Sequence, residues 1–140
     1  MCINTRVTPF RIELELGLPI PDQIVYAATR AIVGGQMKPG DAFPSVRALS
    51  KELRIHPNTA MKAVSQLIDA GLLETRPGIG TVVATPPRAT PEERTALLGR
   101  QIEELVVEAR RLGISEQELT SAVHDQFKEL APKSAGKGRR

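Results

Sequence analysis

The sequence predicts a mainly helical protein with one small β-hairpin. Five segments have the apolar spacing or the terminal residues of helices. Capping residues or prolines begin these segments, and glycines end most of them. Two short runs rich in Leu, Val and Thr flank the sequence Pro-Gly-Ile-Gly at residues 77–80, which is typical of a hairpin.

Composition narrows the class of protein before any motif is considered. The chain has 140 residues, of which 41% are hydrophobic and 25% are charged, so it can build an aliphatic core. Cys2 is the only cysteine, which excludes an internal disulfide and a cysteine-cluster metal site; we expect neither metal nor cofactor. No apolar run approaches the ~20 residues of a membrane span, and the N-terminus lacks the apolar region of a signal peptide. We therefore expect a cytoplasmic protein without a membrane partner.

The N-terminal elements are one strand and one helix. Residues 9–16 alternate with a period of two, which predicts a strand with one apolar side: Phe10, Ile12, Leu14 and Leu16. Pro21 begins the first helix, and the pair Gly34-Gly35 ends it. Residues 38–41 (KPGD) predict a type II turn, because Pro and Gly occupy its two central positions.

Two short helices separated by a three-residue turn come next. The second helix begins after Pro44 with Ser45 as its N-cap, and its apolar face holds Val46, Leu49 and Leu53. Residues 54–56 form the turn. The third helix covers residues 57–70, with Pro57 at its first position, and it stops at Gly71. The hairpin is predicted over residues 72–84.

The chain then divides into two parts of different character. We expect a first domain over residues 9–85, a Pro-rich linker at 86–90, a helical module over 91–131 and a disordered basic tail at 132–140. The sequences TPEE at 90–93 and SEQE at 115–118 are capping boxes that begin the two helices of the module.

The two C-terminal helices have apolar stripes that their own module is too small to cover. The two helices alone can also hardly enclose a small-molecule pocket, whose usual volume is ~300–1,000 Å³. We therefore assign the stripes to a homodimer interface; packing against the first helix is the alternative, and a small effector at a domain or protomer junction stays open. The predicted dimerisation residues are Leu98, Ile102, Leu105, Ala109, Leu112, Leu119, Val123 and Phe127.

The third helix has two chemically different faces. At 100° per residue, one face is apolar: Ala60, Ala63, Val64 and Leu67. The opposite face presents an amide, a thioether, an ammonium and a hydroxyl, from Asn58, Met61, Lys62 and Ser65. Two short helices with a tight turn, the second with polar groups near its start, have helix-turn-helix geometry, and the hairpin stands where a wing would follow. The fold class is thus a winged helix-turn-helix domain followed by a two-helix module.

This arrangement suits double-stranded DNA. Asn58 can pair with an adenine edge, and Lys62 reaches a guanine or a phosphate. Thr59, Arg47 and Arg76 are candidates for phosphate contacts, and the glycines at 78 and 80 allow the hairpin tip to approach a groove. Residues 45–62 carry four basic side chains against one acidic side chain. Taken singly, each of these residues fits an ordinary surface helix or turn; their order along the chain is what points to DNA.

Two other classes of function are weighed against DNA binding. An enzyme needs a nucleophile, a base and an orienting group in one pocket. Cys2 is terminal, His56 and His124 lie in different predicted modules, and Glu103, Glu104 and Glu108 fit a helix surface. A winged helix can also serve as a protein-interaction module without operator binding, and salt-dependent binding to duplex DNA would separate the two.

The motifs resemble those of one known family. Residues 35–47 (GQMKPGDAFPSVR), 49–53 (LSKEL), 56–59 (HPNT), 71–73 (GLL) and 76–83 (RPGIGTVV) resemble the N-terminal domain of GntR-type bacterial transcription regulators. The match covers about residues 20–84. The Pro-Asn-Thr sequence and the short two-helix module are similar to the YtrA subfamily.

The resemblance implies a regulator, more often a repressor, that binds a pseudo-palindromic operator as a dimer. It implies that Ser45 and Arg47 hold a phosphate or groove, and that helix 57–70 enters the major groove with the wing beside it. Relatives often have Arg or Lys at position 61, Asn at 56 and Gly at 54. The candidate DNA-binding residues are Ser45, Arg47, Arg54, His56, Pro57, Asn58, Thr59, Lys62, Arg76, Gly78 and Gly80.

Overall fold

The computed structural model describes residues 2–7, 10–85 and 88–131, with side chains from residue 10 onward. It confirms a mainly helical chain with a small antiparallel hairpin. The elements are β1 (Cys2–Val7), β2 (Phe10–Glu15), α1 (Ile20–Val33), α2 (Val46–Leu53), α3 (Pro57–Asp69), β3 (Leu73–Arg76), β4 (Gly80–Val83), α4 (Pro91–Thr95), α5 (Ile102–Arg111) and α6 (Glu116–Glu129). A π-helical turn, Ala96–Gln101, connects α4 to α5.

The elements fall into two compact units. The first unit contains β1 to β4, and the second contains α4 to α6. The predicted tail at 132–140 and part of the predicted linker, residues 86–87, lie outside the described residues. Among those residues, no helix is both long enough and apolar enough to cross a membrane.

The core of the first unit is built around α3. Helices α1 and α2 both pack against α3, and strand β3 packs on it as well. All four side chains that the helical wheel assigned to the apolar face are buried: Ala60, Ala63, Val64 and Leu67. They meet Ile24 and Ala28 of α1 and Leu49 and Leu53 of α2 in one cluster. This packing fixes which face of α3 is left for solvent.

The N-terminal sheet was only half predicted. Strand β2 pairs antiparallel with β1, from Cys2 opposite Glu15 to Val7 opposite Phe10. The alternation placed Phe10, Ile12 and Leu14 correctly in the core. Leu16 was assigned to the same side wrongly, and it is 77% exposed. Strand β2 ends at Glu15, and Gly17 turns the chain with a φ of +89°, so the period of two stops before Leu16.

The helix-turn-helix has the predicted Ser45 cap and a second cap, His56, that the sequence did not predict. The Ser45 hydroxyl accepts a hydrogen bond of 3.0 Å from the Ala48 N–H at the start of α2. Helix α2 ends at Leu53, and its C-cap residue, Arg54, adopts the left-handed conformation. His56 is the N-cap of α3, and its Nδ1 accepts from the Asn58 N–H at 3.0 Å. Pro57 follows at the first helical position, where a missing N–H has no cost.

The hairpin is joined to the segment that leads into α2. Ala42 forms a bridge with Val82 of β4, which the sequence did not predict. The Phe43 N–H donates to the Thr81 carbonyl, and the Val83 N–H donates to the Asp41 carbonyl, both at 2.9 Å. The type II turn before this segment is confirmed, because the Asp41 N–H reaches the Lys38 carbonyl at 2.9 Å and Gly40 has a φ of +93°.

The second unit is a pair of capped helical segments with few buried residues. Both capping boxes are confirmed: Thr90 with Glu93, and Ser115 with Glu118. In the π-helical turn, the Ile102 N–H bonds to the Leu97 carbonyl five residues earlier. Gly113 ends α5 with a φ of +76°. Helix α6 has no fully buried side chain.

Candidate nucleic-acid interface

The solvent face of α3 is the centre of the candidate interface. Asn58, Met61, Lys62 and Ser65 are all exposed, and they lie opposite the buried apolar face. Thr59, on the flank, is half-buried. The side chains present an amide, a thioether, an ammonium and a hydroxyl within two turns of helix. Such a set can hydrogen-bond to base edges, and the thioether adds an apolar contact that an all-charged face would lack.

Four cations lie on this face or close to it in sequence. Arg47, Lys51, Arg54 and Lys62 are exposed, and within the described residues none of them forms an ion pair with a carboxylate. Unpaired, solvated cations are free to neutralise phosphates, and they raise the local potential for an anionic partner. The sequence-based list of candidate DNA-binding residues omitted Lys51. Its position on α2, within the basic stretch, could have identified it.

Two of the candidate residues already have structural tasks. The Ser45 oxygen accepts the Ala48 N–H, which leaves its O–H as a donor for a ligand. The His56 Nδ1 accepts the Asn58 N–H, which leaves Nε2 to carry the ring proton of the neutral imidazole, and the residue is exposed. Both residues therefore position helix starts, and each retains one donor for a phosphate.

Arg76 on the wing has a partner that sequence reasoning missed. Its Nε donates to Glu74 Oε2 at 2.7 Å, and both side chains are 45% exposed. The two residues are separated by one position on β3, so their side chains leave the same face of the strand. That spacing was visible in the sequence. The bond uses Nε, and the two terminal amino groups of Arg76 have no partner among the described residues.

The wing tip and the start of α2 are held close to each other. Gly78 and Gly80 have φ values of +76° and +113°, and a Cβ added at either would meet nothing within 4 Å. Thr81, the next residue, accepts from the N–H of Phe43, which lies two residues before Ser45. The segment that leads into α2 therefore lies beside the turn end of the wing.

The predicted dimerisation residues divide into two groups. Ala109 is 5% exposed and Leu119 is half-buried, so this chain already covers most of these two side chains. The others are exposed: Leu98, Ile102, Leu105, Leu112, Val123 and Phe127. Leu97, Val106 and Val107, which the stripe did not include, are exposed as well. The exposed apolar surface of α4–α5 is therefore wider than a single heptad-like seam would be.

Metal-ligating side chains are scattered. Across the part of the chain that the structure describes, no group of three or more His, Cys, Asp or Glu residues could hold a metal ion. The chemistry of the candidate interface is therefore that of hydrogen bonds, apolar contacts and cations.

The chain is similar to known transcription regulators. The sequence profile described as "Bacterial regulatory proteins, gntR family" matches residues 21–83. The HTH-type transcriptional repressor YtrA of Bacillus subtilis is 31% identical over 122 residues, which are 86% of this chain and 91% of that protein. Candidate residues 45–80 fall inside the matched region.

Two solved structures show the same fold. A transcriptional antiterminator from Listeria monocytogenes EGD-e superposes with a TM-score of 0.77 at 24% identity, over 97% of this chain and all of that chain. YtrA from Sulfolobus acidocaldarius, a GntR-family transcription factor, gives a TM-score of 0.50 at 28% identity, over 84% of this chain and 96% of that chain.

Proposed function

Because the chain belongs to the GntR family of bacterial regulatory proteins, and within it to the YtrA subfamily, it is a DNA-binding transcription regulator, and we propose that it represses transcription as a homodimer on a pseudo-palindromic operator. The similar protein from Bacillus subtilis is named a repressor, which favours repression over activation here. We place the regulator in the cytoplasm, at nucleoid DNA.

The observation that carries this proposal is the solvent face of α3. A B-DNA major groove is about 12 Å wide and admits one helix, whose first residues reach the base edges. Asn58 lies in the first turn of α3 and is exposed, so its amide can pair with N6 and N7 of an adenine. Lys62, one turn later, reaches a guanine edge or a phosphate.

Backbone contacts would flank this helix. Arg47 lies in the first turn of α2, where the helix N-terminus also favours an anion. Arg54 and His56 stand in the turn between α2 and α3. Arg76, Gly78 and Gly80 would bring the wing to the neighbouring groove. Phosphate contacts of this kind set register and affinity, whereas base contacts set the sequence that is read.

The homodimer is supported by the uncovered apolar side chains of the second unit. Helix α6 has no fully buried side chain, and Leu98, Leu105 and Phe127 are exposed. A helix of this length is marginal in water without tertiary cover, and a second copy would supply that cover. A two-fold dimer requires two half-sites in inverted orientation, with centres roughly 10 bp or a multiple of it apart.

The proposal is tested by selecting bound fragments from genomic DNA with the full-length protein at ~150 mM salt, which suppresses non-specific phosphate binding. We expect enrichment of one inverted-repeat motif upstream of a gene. Promoter activity should then fall when the protein is supplied. Absence of an enriched motif, together with no salt-dependent binding to duplex DNA, would instead favour a winged helix that contacts proteins.

Two substitutions separate base reading from phosphate binding. Asn58→Ala should cost ~1–3 kcal/mol on the selected operator and relax the sequence preference, because one base contact is lost. Arg47→Ala should weaken binding to all sequences and lower the slope of log K against log salt by about 0.9. Arg110→Ala, an exposed cation on α5, is the matched control and should change neither property. Unchanged binding by both variants would contradict this interface.

A further inference from the structure

Met61 is a large apolar side chain on the face of α3 that is proposed to read DNA. It is 53% exposed, whereas Ala60, one residue earlier, and Ala63, two residues later, are fully buried on the opposite face of the helix. About half of the Met61 surface is therefore left uncovered by the first unit. That surface is available for a contact outside this unit.

The position of Met61 places it in the same groove as Asn58. The two residues are three positions apart, which is ~4.5 Å along the helix axis and about 60° around it. Lys62 and Ser65 stand beside Met61 on the exposed face. The acidic residue of the helix, Asp69, is ~16 Å along the axis from Asn58, at the end that leaves the groove. Met61 thus lies within the part of α3 that contacts base edges.

The chemistry of a thioether selects one kind of base edge. Methionine has no hydrogen-bond donor and only a weak acceptor, so it cannot pair with the amino and keto groups of the major groove. The apolar group on that surface is the C5-methyl of thymine. Methionine is also unbranched and polarisable, and so it adapts to a small apolar partner.

We propose that Met61 is a specificity-determining residue that selects a thymine in each operator half-site through its C5-methyl group. The inference rests on the proposed function, since it requires that α3 enters the major groove. A cationic or polar side chain at this position would favour a guanine, an adenine or a phosphate instead. The sequence preference of this regulator at one base pair would then follow from Met61.

The test replaces thymines of the selected operator one at a time by deoxyuridine, which removes only the methyl group. With the wild-type chain, one replacement per half-site should weaken binding about fourfold, the change that corresponds to ~0.8 kcal/mol for one buried methyl group. Met61→Ala should bind more weakly and show no further loss at that position. Met61→Leu should keep the preference for thymine, because it keeps the apolar contact.

Ile68→Ala is the matched control. Ile68 is also apolar and exposed on α3, but it lies seven residues beyond Met61, ~10 Å along the axis. This variant should retain the full deoxyuridine effect. All three substitutions replace exposed side chains, and circular dichroism of each variant should show the helical content of the wild-type chain.

The outcomes distinguish a failure of this inference from a failure of the proposed function on which it rests. A wild-type protein that selects an operator but binds it equally with thymine or uracil at every position would overturn the inference alone. The same holds if Met61→Ala keeps the wild-type sensitivity, since another residue would then read the methyl group. If no operator is selected and duplex binding is absent, the proposed function and the inference both fail.

Discussion

At the residue scale, the Arg76–Glu74 pair controls how much positive charge the wing offers. The Glu74 carboxylate binds Arg76 Nε at 2.7 Å, and both groups are partly exposed. Exposed pairs of this kind contribute ~0.2–1 kcal/mol. A phosphate that approaches Arg76 must therefore compete with Glu74 and also meets its negative charge.

We predict that Glu74→Gln tightens binding to duplex DNA about two- to fivefold at ~0.1 M salt, the fold-change of a pair worth up to ~1 kcal/mol. The amide oxygen still accepts from Nε, while the negative charge is gone. Fluorescence anisotropy with labelled duplexes measures the effect. In an Arg76→Gln background the gain should shrink. Weaker binding by Glu74→Gln would instead mean that the carboxylate holds the guanidinium in the productive orientation.

At the element scale, the turn between α2 and α3 contains a strained residue. Arg54 has a φ of +58° and a ψ of +50°, and among the described residues it is the only non-glycine with a positive φ. The left-handed conformation costs an L-residue ~1–2 kcal/mol, because Cβ approaches the following carbonyl oxygen. Glycine does not have that clash, although it loses more entropy on folding.

Arg54→Gly should therefore raise the free energy of unfolding by ~0.5–1 kcal/mol, as measured by urea denaturation. Arg54→Ala is the control, since it removes the guanidinium but keeps Cβ and the strain, and it should give no gain. If Arg54 contacts a phosphate, both variants lose DNA affinity equally. Equal stability of the glycine and alanine variants would show that the turn relaxes without cost.

The sequence predicted the helices well because their signals are local. Caps such as Ser45 and Thr90 and the glycines at helix ends act on neighbouring backbone groups, so a short window contains the whole signal. The buried face of α3 also followed from its period alone. Strand β1 escaped because its sequence, CINTRV, does not alternate between apolar and polar residues. The Ala42–Val82 bridge escaped because it pairs segments that are distant in sequence and leaves no periodic pattern.

The candidate site was predicted less completely than the fold. Residue type and helix position placed Asn58 and Lys62 on the exposed face, as the structure shows. The capping role of His56 depends on side-chain geometry, which residue spacing does not determine. The spacing of Glu74 and Arg76 indicates a shared face of β3, but the hydrogen bond itself also depends on side-chain geometry. For the same reason the stripe identified Ala109 as an interface residue, although it is buried within its own chain.

At the scale of the whole molecule, dimerisation and operator binding are expected to be coupled. Each protomer offers one α3, and two half-sites on one duplex raise the affinity only if the protomers are joined. Leu105 is 43% exposed on the predicted seam of α5. A carboxylate at this position would be buried without a partner in the interface, which is costly.

We predict that Leu105→Glu weakens the dimer at least ~100-fold, or ~3 kcal/mol, as measured by sedimentation equilibrium. Val107→Glu is the matched control, because Val107 is also apolar and exposed but lies about 160° from Leu105 around the helix. The Leu105 variant should lose affinity for the full operator and keep the weak affinity for a single half-site, since the first unit has its own core. A wild-type chain that is monomeric at micromolar concentration would contradict the homodimer, and the exposed leucines of α4–α5 would then need a different partner.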